Sequence, residues 1–187
     1  ADDSTKIKSD VAASSLAVSA GTGNTVSVPV SIGMARNEVD QAVNAKLNAV
    51  GTSGNKATIN GDVEVSTEKD GVINSKLAAT AIGVGVSAGS SVAASGGGSL
   101  AFNTITGSNN AVISGSYLET TNTGDVSVTT DDTSTINANV KTLAVAVAVG
   151  ASSAPGVALG MSVAKNNIGF DKATSTFSFD SNATRTS

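Results

Sequence analysis

The sequence predicts an all-β protein, a parallel β-helix (β-solenoid) built from tandem repeats of about 63–66 residues. Three observations predict this fold: an internal repeat, the alternation of apolar residues within each repeat, and a composition of small side chains. Ala, Ser, Val, Thr and Gly account for 119 of the 187 residues, while aromatic residues account for 3%. Such a chain lacks the bulky side chains that fill an irregular interior, but small side chains suffice where similar layers stack on one another.

The internal repeat is visible as columns of equivalent residues. An acidic turn recurs with spacings of 66 and 63 residues, at Asp2-Asp3, Glu68-Lys69 and Asp131-Asp132. Further columns keep that register: Ile7, Ile73 and Ile136; Val11, Leu77 and Val140; Leu16, Ile82 and Val145; and the Ala-x-Asn motifs that begin at Ala35, Ala101 and Ala164. Self-similarity at a fixed period is typical of a repeat architecture.

We divide the chain into repeat one (1–66), repeat two (67–129) and an incomplete repeat three (130–187), which form one continuous solenoid segment. The three residues by which repeat two is shorter are expected in a surface loop, because 51–56 of repeat one corresponds to a shorter passage around Tyr117. We expect the chain to be part of a longer protein, since its first residues already lie within the repeat register.

Apolar residues alternate along most of each repeat, which indicates β-strands. Single residues separate Leu143, Val145, Val147 and Val149, and likewise Ile82, Val84 and Val86. The phase of this alternation shifts once per repeat, for example between Val11 and Leu16, where we expect a corner or a β-bulge. An amphipathic helix over 39–50 is the alternative for one segment, but the equivalent segment of repeat two contains Gly107 and favours a strand.

Each repeat is long enough for roughly three rungs of a β-helix. If one rung takes about 21 residues, about nine rungs spaced by about 4.8 Å give a rod of about 43 Å. Neighbouring repeats of the same chain are therefore the expected partners at both ends of the segment.

The order of these elements resembles a known group of repeat proteins. Alternating Ala/Val runs at 77–86 and 143–149, the Ala-x-Asn motifs and the Gly-Asp-Val sequences at Gly61 and Gly124 resemble the repetitive β-helical regions of very large bacterial surface and secreted proteins, the filamentous-haemagglutinin-like and leukotoxin-like adhesins. The resemblance implies an extracellular or cell-surface rod with no activity of its own, whose ligand on a host or neighbouring cell is unknown. The trimeric β-roll heads of other adhesins share Ala-Ile-Gly at 81–83, but their shorter period does not divide 63.

Composition excludes several function classes. With no Cys and no His, the chain has no thiolate nucleophile, no Ser-His-Asp triad and no zinc site of the usual N/S kind. Eleven basic and 15 acidic residues give a net charge of −4, which disfavours nucleic acid as a partner. Acids at equivalent places of successive repeats, such as Asp62 and Asp125, do not single out one place as a glycosidase site would. We therefore predict no enzyme activity and no catalytic residues.

Clustered carboxylates make calcium the one cofactor to consider. The candidate ligands are Asp125, Asp131 and Asp132. We favour the alternative that these residues bond the backbone of their own turns, since repeat two has Glu68-Lys69 where repeat three has Asp131-Asp132. No other cofactor is predicted.

An uncharged stretch, 142–164, is long enough for a membrane helix. Pro155-Gly156 would break such a helix, and alternation in the first half of the stretch favours a strand. We expect no membrane span in this segment.

Two function hypotheses from different classes follow. The first is a rigid stalk or passenger rod of a giant extracellular bacterial adhesin or filamentous surface protein. The alternative is a self-associating extracellular fibre or matrix subunit, in which exposed sheet edges or flat apolar faces pair between chains. A carbohydrate-binding or carbohydrate-active β-helix is third, and no cluster of residues points to it.

Overall fold

The computed structural model describes residues 1–169 and shows that this part of the chain is all-β, with no helix. Residues 170–187, which include the end of repeat three, lie outside the described residues. The strands are β1 Asp2–Gly21, β2 Thr25–Ser27, β3 Val30–Asn48, β4 Ala57–Asn60, β5 Val63–Ser87, β6 Ser91–Ser114, β7 Leu118–Thr121, β8 Val126–Asp132, β9 Thr135–Gly150 and β10 Gly156–Ile168.

The strands form three sheets in which all the named strands pair in parallel. In sheet 1, β5 lies between β1 on one side and β8 and β9 on the other. In sheet 2, β6 lies between β2 and β3 on one side and β10 on the other. Sheet 3 contains only β4 and β7 among the described strands. Each sheet therefore takes equivalent strands from successive repeats.

The pairing register follows the sequence repeat residue by residue. Ile7 lies opposite Ile73, which lies opposite Ile136, and hydrogen bonds between equivalent side chains join residues 66 or 63 apart. The expectation of about 21 residues per layer is wrong, because no named pairing of the described strands joins residues at that spacing. One repeat contributes one layer to sheet 1 and one to sheet 2, because its strands are long: β5 alone has 25 residues.

The length difference between repeats lies close to the predicted loop, but it has two parts. Residues 49–56 connect β3 to β4, whereas only 115–117 connect β6 to β7. Repeat two then regains two residues at Asn122 and Thr123, a turn in which both have positive φ. The predicted site of the deletion was right. The insertion of two residues at this turn was not visible in the aligned columns of the sequence.

The predicted phase shift in each repeat does not produce a bulge. β1 pairs with β5 without interruption from Asp2 to Gly21, and side chains of β5 alternate between inside and outside along the whole strand. What changes along the strand is which face carries the large aliphatic side chains: Leu77 points inward, whereas Ile82 lies on the outer face. The prediction was wrong because it assumed that large apolar residues always face the interior.

The helical alternative for 39–50 is also wrong, since β3 continues to Asn48. Val39 and Val43 are both buried, and a spacing of four fits one face of a strand as well as one face of a helix. The equivalent strand in repeat two includes Gly107, which has a φ of +120° and comes so close to Gln41 that an added Cβ would lie 1.7 Å from its main-chain oxygen.

Sheets 1 and 2 pack face to face, and their aliphatic core occupies only part of the shared interior. One cluster joins Val39 and Ile105 of sheet 2 to Ile73 of sheet 1. A second cluster joins Ala35 and Ala101 to Leu77. Ile7, Ile136, Val11 and Val140 extend the two clusters into the flanking strands.

We divide each repeat into two parts according to whether large aliphatic side chains lie between sheets 1 and 2. The core half, which surrounds the two aliphatic clusters, comprises 2–13 and 35–48, 68–79 and 101–114, and 131–142 and 164–168. The thin half, which lies around the turns between sheets 1 and 2, comprises 14–34, 80–100 and 143–163. The thin half has only small side chains between the sheets.

Candidate functional site

The thin half carries its large aliphatic side chains on the outside. On sheet 2 the exposed residues of β2, β3 and the segment between them are Val26, Val28, Val30, Ile32 and Met34. The equivalent exposed residues of β10 are Val157, Leu159, Met161 and Val163. We call this surface, together with the outer residues of β6 between them, the sheet 2 apolar face. Sheet 1 has a smaller counterpart that includes Leu16, Val18, Leu143, Val147 and Val149.

The sheet 2 apolar face has two ridges and a central depression. Gly96 and Gly98 of β6 lie opposite Val30 and Ile32 on one side, and opposite Leu159 and Met161 on the other. An added Cβ on Gly98 would come no closer than 3.9 Å to Ile32, an ordinary contact. The fold itself therefore does not require glycine at the floor of this depression.

The interior of the thin half is narrow enough to require glycine at particular positions. Gly97 points inward, and an added Cβ would lie 2.7 Å from Cγ2 of Thr142. At Gly85 an added Cβ would lie 2.4 Å from the hydroxyl oxygen of Ser91. The close approach of the two sheets explains why the alternation of the thin half puts Ala, Gly and Ser inside and Val, Ile and Leu outside.

Hydroxyl groups link the two sheets across this narrow interior. Ser27 donates to the main-chain oxygen of Ala17 at 2.8 Å, and Ser99 donates to that of Lys141 at 2.9 Å. Thr142 in turn donates to the main-chain oxygen of Met161 at 2.9 Å. These bonds hold the sheets together where an aliphatic core is absent, because each satisfies a polar group that the packing removes from water.

The Ala-x-Asn motif forms a column of amides inside the core half. Asn37 donates from Nδ2 to Oδ1 of Asn103 at 2.7 Å, and Asn103 donates in the same way to Asn166 at 2.8 Å. Asn103 is fully buried. The sequence revealed this motif as a repeat marker, but only the parallel register shows that each amide bonds to its equivalent in the next repeat.

The acidic turns form a column of alternating charge. Lys69 lies between Asp3 and Asp132 in the register of sheet 1, and its side chain is 4% exposed. Its Nζ is 2.9 Å from Oδ2 of Asp132, while Asp3 accepts a hydrogen bond from Nε2 of Gln41 at 3.0 Å. Lys69 therefore places a positive charge in the layer between two carboxylates, where a third acidic residue would put like charges in adjacent layers.

Asp132 has a pKa below its ordinary value. Partial burial by itself raises the pKa, but hydrogen bonds from Ser134 and Lys69 and the charge of Lys69 favour the carboxylate and outweigh it. The environment of Asp132 is therefore that of one member of an ion pair.

The three candidate calcium ligands do not come together. Asp132 faces Lys69, the main-chain oxygen of Asp131 accepts from Asn109, and the main-chain nitrogen of Asp125 donates to Oδ1 of Asp62 at 2.8 Å. Within residues 1–169 no group of three or more His, Cys, Asp or Glu side chains is arranged to hold a metal ion.

A shallow groove in the core half is lined mainly by polar residues of sheet 1. Lys8, Asp10, Asn74, Lys76, Asn137 and Asn139 contribute to its lining. These side chains form an exposed polar surface without an aromatic side chain in its lining.

The outermost strands leave one edge each without a strand partner among the described residues. β1 and β3 pair only toward β5 and β6, and β9 and β10 do the same from the opposite side. Such edges present main-chain donors and acceptors to which a further parallel layer can pair.

Residues 1–169 contain no helix that is long and apolar enough to cross a membrane.

Comparison with known proteins gives no relative for this chain. No protein-family model matches it, and neither the curated proteins nor the solved structures provide a significant match.

Proposed function

We propose that this chain is a non-catalytic structural segment of a β-solenoid, in which each repeat forms one broad coil stacked on the next. One observation carries the proposal: equivalent residues of successive repeats pair in parallel through sheets 1 and 2. The side-chain columns support it, because Asn37 bonds to Asn103 and Lys69 pairs with Asp132 only in this register.

The proposed coil is wide and short. With about 4.8 Å between parallel strands, three layers rise only about 14 Å, and a strand of the 25 residues of β5 extends about 80 Å. Each repeat of 63–66 residues thus adds little length but a broad double sheet. Such a segment would make the parent protein stiff and give it a broad lateral surface. A long stalk would need many such repeats.

We place this segment in an extracellular or cell-surface filamentous protein of the adhesin kind. The resemblance carried by the Ala/Val runs and Ala-x-Asn motifs supports this placement, and the chain has no Cys whose oxidation would matter outside the cell.

Cryo-electron microscopy of the native parent material tests the proposal through mass per unit length. We expect a layer spacing of about 4.8 Å with one repeat per layer. A mass per length about threefold lower would mean three layers per repeat, and a compact particle without axial layers would overturn the solenoid.

A second candidate function, the self-associating fibre or matrix subunit, is favoured by the exposed aliphatic side chains of the thin half. Ile32 is 67% exposed and Leu159 is 71% exposed, which is costly for a surface that stays in water. Filaments that thicken with protein concentration would support this function, whereas single solenoids at all concentrations would support the stalk.

A further inference from the structure

We propose that the sheet 2 apolar face binds the same face of a second copy of this chain. This inference rests on the proposed structural function, and it names the surface and the partner through which such segments join side by side. The two copies would pack side by side, in a direction perpendicular to the axis along which the layers stack. This contact is therefore distinct from the pairing of strand edges.

The area of this face is sufficient for a stable pair. With Val92 of β6, the face has ten large apolar side chains, each 38–71% exposed. They present on the order of 1,000 Å² of apolar surface, whereas a typical monomer has a largest patch of about 300–600 Å² and a stable interface buries about 800 Å² per partner.

The chemistry of the face matches itself. No Asp, Glu, Lys or Arg occurs between Asp10 and Arg36, between Lys76 and Glu119, or between Lys141 and Lys165. Two copies can therefore meet without burying a charge, and the aliphatic ridge along Val30 and Ile32 can lie over Gly96 and Gly98 of the partner's β6. A two-fold axis makes both contacts at once, as in the commonest class of symmetric dimer.

A second copy fits this surface better than lipid does. β3 and β10 form the borders of the face, and each has one edge without a strand partner in the described part of the chain. In hydrocarbon each such main-chain group would cost several kcal/mol. Between two copies in water those edges stay accessible to solvent or to a further layer.

Sedimentation velocity of the full chain tests the inference with a charged variant and a matched control. We expect the wild-type chain to dimerise at micromolar concentrations, and the double variant Ile32→Lys/Met161→Lys to weaken dimerisation at least tenfold. Ala42→Lys is the control, because Ala42 is also an outward residue of β3 but lies outside the face. Its dimerisation should stay within twofold of wild type.

A cross-linking experiment identifies the face directly. The chain has no Cys, so Ile32→Cys supplies its only thiol, and a bismaleimide that spans about 10 Å matches the distance between packed sheets. We expect cross-linked dimers from Ile32→Cys and none from Ala42→Cys. Far-UV circular dichroism identifies any variant that fails to fold. If the charged variant does not fold, the concentration dependence of the wild-type chain and the cross-linking of the cysteine variants test the dimer contact instead.

Three outcomes would overturn the inference. These are a wild-type chain that stays monomeric at 100-fold higher concentration, equal effects of the charged variant and Ala42→Lys, and flotation of the monomer with phosphatidylcholine vesicles, which would assign the face to lipid. A monomer that still shows one repeat per layer by microscopy would leave the proposed function intact, whereas loss of the layers would overturn both.

Discussion

The core half and the thin half are built from the same strands and the same register, yet they distribute apolar residues in opposite ways. In the core half Ile73 and Leu77 are buried between the sheets, while charged and amide side chains such as Lys8 and Asn74 lie outside. In the thin half Gly85 and Gly97 lie inside and Ile32 lies outside. The difference shows that strand alternation fixes two faces without fixing which of them becomes the interior.

The two halves also differ in what stabilises them. Burial of large side chains stabilises the core half by roughly 1.5–3 kcal/mol for each fully buried Ile or Leu. The thin half depends on hydroxyl groups that bond to the opposite sheet, as Ser99 does to Lys141. Substitutions of the same kind should therefore have different effects in the two halves.

The largest difference is expected for truncation of an aliphatic side chain. Ile73→Ala removes a fully buried side chain of the core half and should lower the free energy of unfolding by about 4 kcal/mol. Leu16→Ala removes a side chain of the thin half that is 69% exposed and should change it by less than about 0.5 kcal/mol. Urea denaturation measures both, and similar losses would show that the thin half also has an aliphatic interior.

The next largest effect concerns the amide column. Asn103→Leu leaves the amide of Asn37 and the side-chain oxygen of Asn166 without the bonds they make in the native column, so we expect a loss of about 3 kcal/mol. Asn110→Leu is the control, since Asn110 donates to Asn44 on an exposed surface and should cost about 0.5 kcal/mol or less. Equal effects in thermal unfolding would contradict a stabilising role for burial of the column.

Neighbouring glycines of the thin half should respond in opposite directions. Gly97→Ala adds a Cβ against Thr142 and should destabilise the protein by about 2 kcal/mol. Gly98→Ala adds a Cβ on the outer face at ordinary contact distance and should be neutral or stabilising by about 0.5 kcal/mol, because Gly weakens a strand. Chemical denaturation of the two variants decides, and destabilisation by both would show that the outer depression is also closely packed.

The smallest effect is expected for the charge column, and it depends on pH. The pKa of Asp132 is lowered in the folded state. The carboxylate therefore stabilises the fold at any pH above the pKa of Asp in the unfolded chain, and this stabilisation is lost as the pH falls below about 4 through the folded pKa. Asp132→Asn should therefore cost about 1 kcal/mol at pH 7, a value reduced by the exposure of Asp132, and progressively less below pH 4.

Urea denaturation at pH 7, 5 and 3 measures this dependence. The control is the same substitution in a Lys69→Met chain, which lacks the cation and should show a smaller difference at pH 7. A difference that stays constant from pH 7 to pH 3 would count against the ion pair as its source.

Much of the fold was predictable from particular residues. The columns of Ile7, Ile73 and Ile136 predicted that these residues are equivalent, and the strand pairing places them opposite one another in one parallel sheet. The number of layers per repeat was not predictable from a repeat length alone, because 63 residues can form three short layers or one long one. The candidate site is the least predictable part, since the sequence alone does not indicate that Lys69 pairs with Asp132 or that Ile32 is exposed.

By itself the sequence determined the strands and their equivalence between repeats, since these depend on local alternation and on repetition, and its composition leaves no thiolate nucleophile and no Ser-His-Asp triad. Only the tertiary structure decided how far each strand runs and which face is inside. The physical reason is that the width of the interior is a property of two sheets together: where they lie close, small side chains such as Gly97 must face inward. The large aliphatic residues of the same strands then lie outside, on the surface that we propose joins two copies of the chain.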